Sequence, residues 1–478
     1  MVIVVRNLIV NPQQIALLQQ SRLGVEVEEH RINNSGHLSQ VPHPTDLGSR
    51  RFHPYFQSDF AESQAEIITD PHTSITALSR QLATLQAIFA HALQPNELIW
   101  PLSLPPEVSS ADLTFIANNF ERPAYQDYRD YLLEKYGIQH AITTGSHVSF
   151  SLPTALLTGQ SVAARNQLYF HIVQNFMLAR WILTYLFGAT PQAAPNYFST
   201  FPTALAQPVR SIRNSEYGFT NTTSENVRYT SLASYLHDID AAIATGQLYS
   251  QHEFYGPVRL KKQSKLNDLL TEGIDYLEFR VFDLDPFSAD AISQTTLRFF
   301  KVFISYLAVR PLPDDLAAAL AHAQQRNRQV ALEAPERPSA FTNELQAWLQ
   351  QLTDFSHSWP TDYRQAVTII AQRASQPELT PSARIMYAAS QQSLTAFALA
   401  QATLHRQQQQ QQIPPEAAPL NADQQQLLIA AYQLGLRVKH RNTTIQLCGQ
   451  HSAVELTEIQ LNGTKATTKL QQLFPELL

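Results

Sequence analysis

The sequence predicts an α+β fold in which an antiparallel sheet with one open, ligand-facing side is backed by many helices. Three observations predict it. Strand-like stretches are few and lie toward the front of the chain, at 24–32, 64–69, 138–152, 252–261 and 274–283, while helical periodicity dominates elsewhere. On those strands apolar and polar residues alternate, so one face reads as core and the other carries chemically capable side chains. Finally, 478 residues with 44% hydrophobic and 10% aromatic content can bury a sizeable core. The length exceeds the roughly 250–300 residues at which one core stops growing, so more than one lobe is expected.

The helices follow from spacing. "ITALSRQLATLQAIFAHALQ", residues 75–94, repeats apolar residues at helical intervals, with Thr73 or Ser74 as its cap. Similar patterns run near 123–136, 161–187, 231–245, 292–308, 313–326, 338–352, 361–374 and 382–406. At "HRQQQQQQIPPEAAPLNADQQQ", residues 405–426, six consecutive glutamines precede a proline-rich spacer. Such a stretch has little apolar surface to offset its ordering entropy, so it reads as a linker or an extended helix end. It separates a large domain over 1–404 from a small segment over 427–478.

Composition excludes several classes. A net charge of -6 argues against nucleic-acid and anionic-membrane partners, which need a basic face. One cysteine, Cys448, excludes an internal disulfide and a multi-cysteine metal cluster and suits a reducing cytoplasm. No apolar run reaches the roughly 18 residues of a membrane span, and "MVIVVRNLIV" lacks a signal peptide's basic flank and cleavage site. A cytoplasmic location is expected. Only 14 glycines occur, with neither G-x-G-x-x-G nor G-x-x-x-x-G-K-[ST], so phosphate handling would fall to side chains and metals.

Five stretches, and a sixth that forms the final strand, could carry chemistry. In "RLGVEVEEHRI", residues 22–32, Glu26, Glu28 and His30 share one strand face and Val25 and Val27 the other. Paired carboxylates repel unless a cation lies between them, or the strand is a solvated edge. In "SDFAESQAEIITD", residues 58–70, Asp59, Glu62 and Glu66 lead into Ile67 and Ile68; Glu66 at the threshold of a buried strand needs a metal or an arginine near it. In "AITTGSHVSFSLP", residues 141–153, His147, Ser149 and Ser151 alternate with Val148, Phe150 and Leu152. "VRSIRNSEYGFTN", residues 209–221, reads as a loop whose Arg210 and Arg213 suit carboxylate binding or simple solvation. "HEFYGPVRLKK", residues 252–262, sets Glu253, Tyr255, Arg259 and Lys261 on one side, either a charged strand edge or a phosphate and metal site. The final strand, "GIDYLEFRVFDLDPFSAD" at 273–290, places Glu278 and Arg280 on one face and Leu277, Phe279 and Val281 on the other. Taken together, carboxylates and cations on strand faces suit phosphoryl transfer with Mg²⁺.

In order along the chain, "GVEVEEHRI", "SDFAESQAEIIT", "WPLSLPP", "TTGSHVSFSLP", "YLFGATP", "SIRNSEYGFTN", "EFYGPVR" and "YLEFRVFDLDPFS" resemble the bacterial glutamate-cysteine ligase family, including the amino-terminal module of bifunctional glutathione-synthesising enzymes. The resemblance implies a sheet of the glutamine synthetase-like type. It also implies ATP- and Mg²⁺- or Mn²⁺-dependent ligation of L-glutamate to L-cysteine through a γ-glutamyl phosphate, by a protein compatible with a monomer. By position, it implies metal ligands at Glu26, Glu28, Glu66, His147 and Glu278, and catalytic roles for Glu278 and Arg280. Phosphate contacts would come from Arg280, Arg259 and Lys261, and amino-acid contacts from Arg213, Tyr255, Phe219 and Ser149. Two positions depart from the family pattern, Phe219 for Tyr and Ser149 for Asn. The first removes a hydroxyl and leaves the accepting amine open. The glycine-adding ATP-grasp module is expected to be absent, and "LLIAAYQLGLRVKHRNTTIQL" faintly resembles the junction to one. A ligase for another amine, a non-catalytic binding paralogue and a metal-dependent hydrolase are the competing expectations.

Overall fold

The computed structural model describes residues 11–477, apart from 51, 110, 111, 113, 114, 116–125, 219, 222–226, 263–265 and 442–443. The amino-terminal "MVIVVRNLIV", the start of the 123–136 pattern and Phe219 therefore lie outside the described residues.

Seven strands form one antiparallel sheet: β1 (Arg22–Asn33), β2 (Phe56–Gln57), β3 (Gln64–Ile68), β4 (Glu97–Trp100), β5 (Ser146–Ser151), β6 (Val258–Lys261) and β7 (Tyr276–Phe282). Their order is β2-β3-β1-β5-β7-β6, with β4 pairing the far end of β1. Alternation explains the sheet's two faces. Leu23, Val25, Val27, Val148, Phe150, Leu277 and Phe279 are all buried on one side. Against them lies the helix Val162–Phe187, whose Phe176 packs edge-on to Phe279 at 4.7 Å, and Phe300 of the helix Gln294–Leu307 meets the same ring at 5.3 Å. The opposite face carries the charged residues.

Helix starts follow capping chemistry. Ser74, Ser161, Ser231, Ser293 and Ser393 each accept a backbone N–H three residues on, satisfying a donor that has no partner within the helix. The 382–406 pattern divides into Pro381–Gln391 and Leu394–Gln411, because Gln392 is extended and Ser393 caps a new helix.

Two expected strands change shape, and one strand is new. Within 138–152, residues Ile138–Ala141 make a helical turn after Gly137, whose φ of 78° favours glycine, and the strand begins only at Ser146. Within 252–261, Gln251–Glu253 is a 3₁₀ turn and the strand waits until Val258, past Pro257, which has no N–H to donate. Trp100 and its neighbours form β4, unanticipated because four residues show too little alternation.

The 405–426 segment is ordered structure. Its glutamines extend the helix to Gln411, and Glu416 and Ala417 are buried. Beyond it, the helix Ala422–Gln433 and a small sheet β8 (Arg437–Arg441), β9 (Thr444–Cys448) and β10 (Ala453–Glu455) share the main hydrophobic core. Tyr432 packs edge-on to Tyr55 at 5.0 Å, and Val438 N–H donates to the Tyr55 hydroxyl. A shared core, not a free tether, joins this segment to the sheet.

Phe279 is fully buried at the centre of the sheet–helix contact. Phe279→Ala is expected to lower unfolding free energy by about 3–5 kcal/mol in a denaturant titration, the usual cost of emptying such a site; an unchanged midpoint would contradict this packing.

Candidate active site

The register builds the site. Antiparallel partners share a face, so pairing Glu26 with His147, Glu28 with Glu66, and Ser149 with Glu278 and Gly24 brings residues from four strands onto one surface. The edge strand adds Arg259, paired with Glu278, and Lys261, paired with Tyr276. Between β5 and β7 the partners Val148–Phe279 and Ser146–Phe282 leave Arg280 and Val281 opposite the single His147. This bulge lets Arg280 join the charged face while Val281 and Phe282 both remain in the core.

Glu26, Glu28 and His147 offer ligand atoms within 4.8 Å of one another, the one such group among the described residues. His147 Nδ1 lies 3.0 Å from Glu26 Oε1 and 3.6 Å from Glu28 Oε1, while its buried Nε2 has no hydrogen-bond partner. Burial, then the charge of Arg280, holds its imidazole well below the usual range, leaving it neutral and able to ligate. Burial also raises both carboxyls, helped by Glu278 at Glu26 and by Asp59 at Glu28. Two carboxylates whose ionisation is disfavoured, beside a neutral imidazole, fit a divalent cation.

Glu66 and Glu278 share the face but stand outside that close trio. Glu278 is 97% withdrawn from solvent by side chain and held between Lys261 Nζ at 2.6 Å and Arg280 Nη1 at 3.1 Å. Burial alone would raise its carboxyl; Lys261, Arg280 and Arg259 together override that and keep it far below the usual range. The carboxylates in turn hold Arg280 firmly protonated against its burial. Arg259 donates to the carbonyls of Phe254 and His252, and with Lys261 it borders a cavity of about 440 Å³ beside the sheet edge, walled by Tyr235, Phe254 and Lys262.

Arg213 reaches the site from its loop. Its Nη1 donates to the Arg280 carbonyl at 3.1 Å and lies 3.7 Å from Asp283. A Cβ at Gly145 would collide with this guanidinium, so glycine there makes room for it. The Tyr255 hydroxyl lies 3.4 Å from that of Tyr128, and its backbone N–H donates to Asn221. Ser149 lies between Gly24 and Glu278 in the register.

Several charged residues from the same stretches serve structure instead. His30 is fully buried, with Nε2 2.6 Å from the Ile142 carbonyl, and burial pushes it down to about 4. Glu62 pairs with Arg50 at 2.6 Å, Arg210 pairs with Glu333 and stacks on Tyr185, and Glu253 pairs with Lys135 at 2.7 Å. Asp59, which the sequence places in a chemically capable stretch without giving it a role, faces the site's charges. It keeps solvent access, yet protein surrounds it closely enough to raise its carboxyl against the pull of Arg280. It occupies the loop between β2 and β3, where no alternation marks a face; its one sequence signal is its place in "SDFAES".

A model of the glutamate-cysteine ligase family matches residues 7–330. The chain is 35% identical over 397 residues to the bifunctional glutathione biosynthesis protein of Streptococcus thermophilus, covering 80% of this chain and 52% of that one. To the same kind of protein from Pasteurella multocida it is 35% identical over 356 residues, covering 72% and 47%. The crystal structure of a bifunctional glutathione synthetase from Pasteurella multocida superposes with a TM-score of 0.85 at 28% identity, over 93% of this chain and 60% of that chain. A glutamate-cysteine ligase from Francisella tularensis, in complex with AMP, superposes at 0.76 and 23% identity over 87% and 92%, a likeness of fold. The chain spans about half the length of the curated relatives it matches.

A cation can use Glu26 and Glu28 only once they have lost their protons, and both titrate above their ordinary range. Affinity should therefore fall as pH falls through that raised range, while neutral His147 opposes nothing. Mn²⁺ titration followed by electron paramagnetic resonance should show tighter binding at high pH than at low, with the dependence weakened in Glu28→Gln; identical affinities would contradict the trio as a metal centre.

Proposed function

This chain belongs to the glutamate-cysteine ligase family, and we propose that it joins the γ-carboxylate of L-glutamate to the amine of L-cysteine, converting ATP to ADP and phosphate. The observation that carries this reading is the single sheet face on which the Glu26, Glu28 and His147 trio stands beside Glu278, itself clasped by Arg280 and Lys261. Such a face can gather two anions, a carboxylate and a polyphosphate, that would otherwise repel.

Carboxylates resist amines because oxide is a poor leaving group. Transfer of the γ-phosphoryl to a glutamate oxygen makes an acyl phosphate and releases ADP; the amine then attacks the acyl carbon and phosphate departs with that oxygen. Mg²⁺ or Mn²⁺, held by Glu26, Glu28 and His147 with Glu66, Glu278 and Asp59 around them, would supply neutralising charge at the phosphate oxygens. Arg280 stabilises charge on the moving phosphoryl group, fixed in place by Glu278 so that it needs no reorganisation. Arg259 and Lys261 hold the remaining phosphates, which places the adenosine end in the adjoining cavity walled by Tyr235 and Phe254. Arg213 grips the carboxylate of the amine substrate, Tyr255 packs beside it, and Ser149 lines the floor near Glu278.

The substrates are small molecules, and no helix among the described residues is long and apolar enough to cross a membrane, which agrees with work in the cytoplasm. A second reading, ligation of glutamate to another amine, keeps every phosphate and metal residue and is favoured by Phe219, which has no hydroxyl to offer the acceptor.

Incubation with ATP, Mg²⁺ and glutamate, with cysteine or a panel of other amines, followed by mass spectrometry, should give γ-glutamylcysteine, ADP and phosphate. Arg280→Ala should retain the fold and lose roughly 10²–10³ in turnover, the usual effect of deleting one such contact. ADP without a conjugate would refute ligation, and full turnover in a folded Arg280→Ala would refute its role.

A further inference from the structure

The glutamine run ends a helix whose side chains grip backbone carbonyls at regular spacing. His405 bonds the Pro286 carbonyl, and Gln409, one turn on, donates to the Ala289 carbonyl at 2.9 Å. One residue along in each case, Arg406 donates to the Gln94 carbonyl at 3.0 Å and Gln410 to the Ala90 carbonyl at 3.2 Å. Residues four apart share a helix face, so the two pairs form two parallel rows. Gln407, Gln408 and Gln411 are exposed and make no such contact.

The gripped segment is the loop directly after β7. It folds through Asp285 N–H to the Ala291 carbonyl and Ser288 N–H to the Asp285 carbonyl, with Ala291 at a φ of 61°. A left-handed alanine persists where its surroundings over-determine it. The loop starts at Asp283, whose buried carboxylate accepts from Ala189 N–H, Thr190, Ser211 and Asn214 and sits 3.7 Å from Arg213. Under the same helix, Glu29 on the reverse of β1 and Arg406 line a small cavity of about 20 Å³. The helix packs against β4 and the helix Ile75–Ala92, and its end reaches the loop that follows β7.

We infer that the end of the helix Leu394–Gln411 is a positioning element, in which Gln409 and His405 fix the 283–291 loop and, through Asp283, the aim of Arg213. The consequence for catalysis rests on the reading of Arg213 as the grip on the amine substrate. Within the glutamine run the role then falls to Gln409, while Gln407, Gln408 and Gln411 face solvent.

Gln409→Met keeps length and helix propensity while removing the donor; Gln408→Met is the exposed control and Gln409→Lys restores a donor. In the full chain, hydrogen exchange by mass spectrometry should quicken over 283–291 in Gln409→Met alone. Its KM for cysteine should rise about 5-fold, the size expected for one hydrogen bond, with the KM for glutamate unmoved and Gln409→Lys close to wild type. Unchanged exchange overturns the inference. Faster exchange with an unmoved cysteine KM also overturns it, assigning the contact to stability alone. A wild-type chain that forms no conjugate would instead refute the ligase reading, and the exchange result would still be legible.

Discussion

The cost of gathering carboxylates on one sheet face governs this molecule. Glu26, Glu28 and Glu66 are brought together by strand register, and Glu278 joins from β7. Unpartnered, such a set would favour unfolding or protonation. The protein offsets part of the repulsion with Arg280 and Lys261, which saturate Glu278. Glu26 and Glu28 feel Arg280 and its neighbouring cations only through space, burial still raises both carboxyls, and the side chain closest to them, His147, is unprotonated. That imbalance is where a cation belongs.

The rest of the fold keeps this arrangement in place. Phe279 and its neighbours on the core face anchor β7 against two helices, so its charged face cannot rotate away. The bulge at Arg280 and Val281 settles a conflict between packing and chemistry, keeping the core continuous while adding a cation to the site. Gly145 leaves the space that the Arg213 guanidinium fills, and Asp283 orients that guanidinium through a carboxylate already saturated by the hydroxyls and amides around it.

Period-two alternation made much of this legible beforehand. The faces of β1, β5 and β7 follow directly from it, whereas the meeting of Glu26, Glu28, His147, Glu278 and Arg280 is an expectation of the family resemblance, which the strand register meets by bringing them onto one surface. Alternation describes a strand but not its neighbours, so the pairing of Glu28 with Glu66 and the bulge required the structure. The sequence names Asp59 without giving it a role, because a loop has no period. His30 has the alternation of a ligand, yet the Ile142 carbonyl lies against it, a contact between residues 112 positions apart that no local pattern encodes. Composition leaves the glutamine run as either a linker or an extended helix end; the run extends the helix to Gln411, and the long-range hydrogen bonds of its amide groups are what composition cannot encode.

The most direct measurement follows oxygen. If Arg280 and the carboxylate trio serve to phosphorylate glutamate before the amine attacks, then glutamate labelled with ¹⁸O in its γ-carboxylate should give phosphate carrying one labelled oxygen for each γ-glutamyl conjugate formed. Unlabelled phosphate accompanying a formed conjugate would contradict the acyl phosphate and the chemistry assigned to this sheet face.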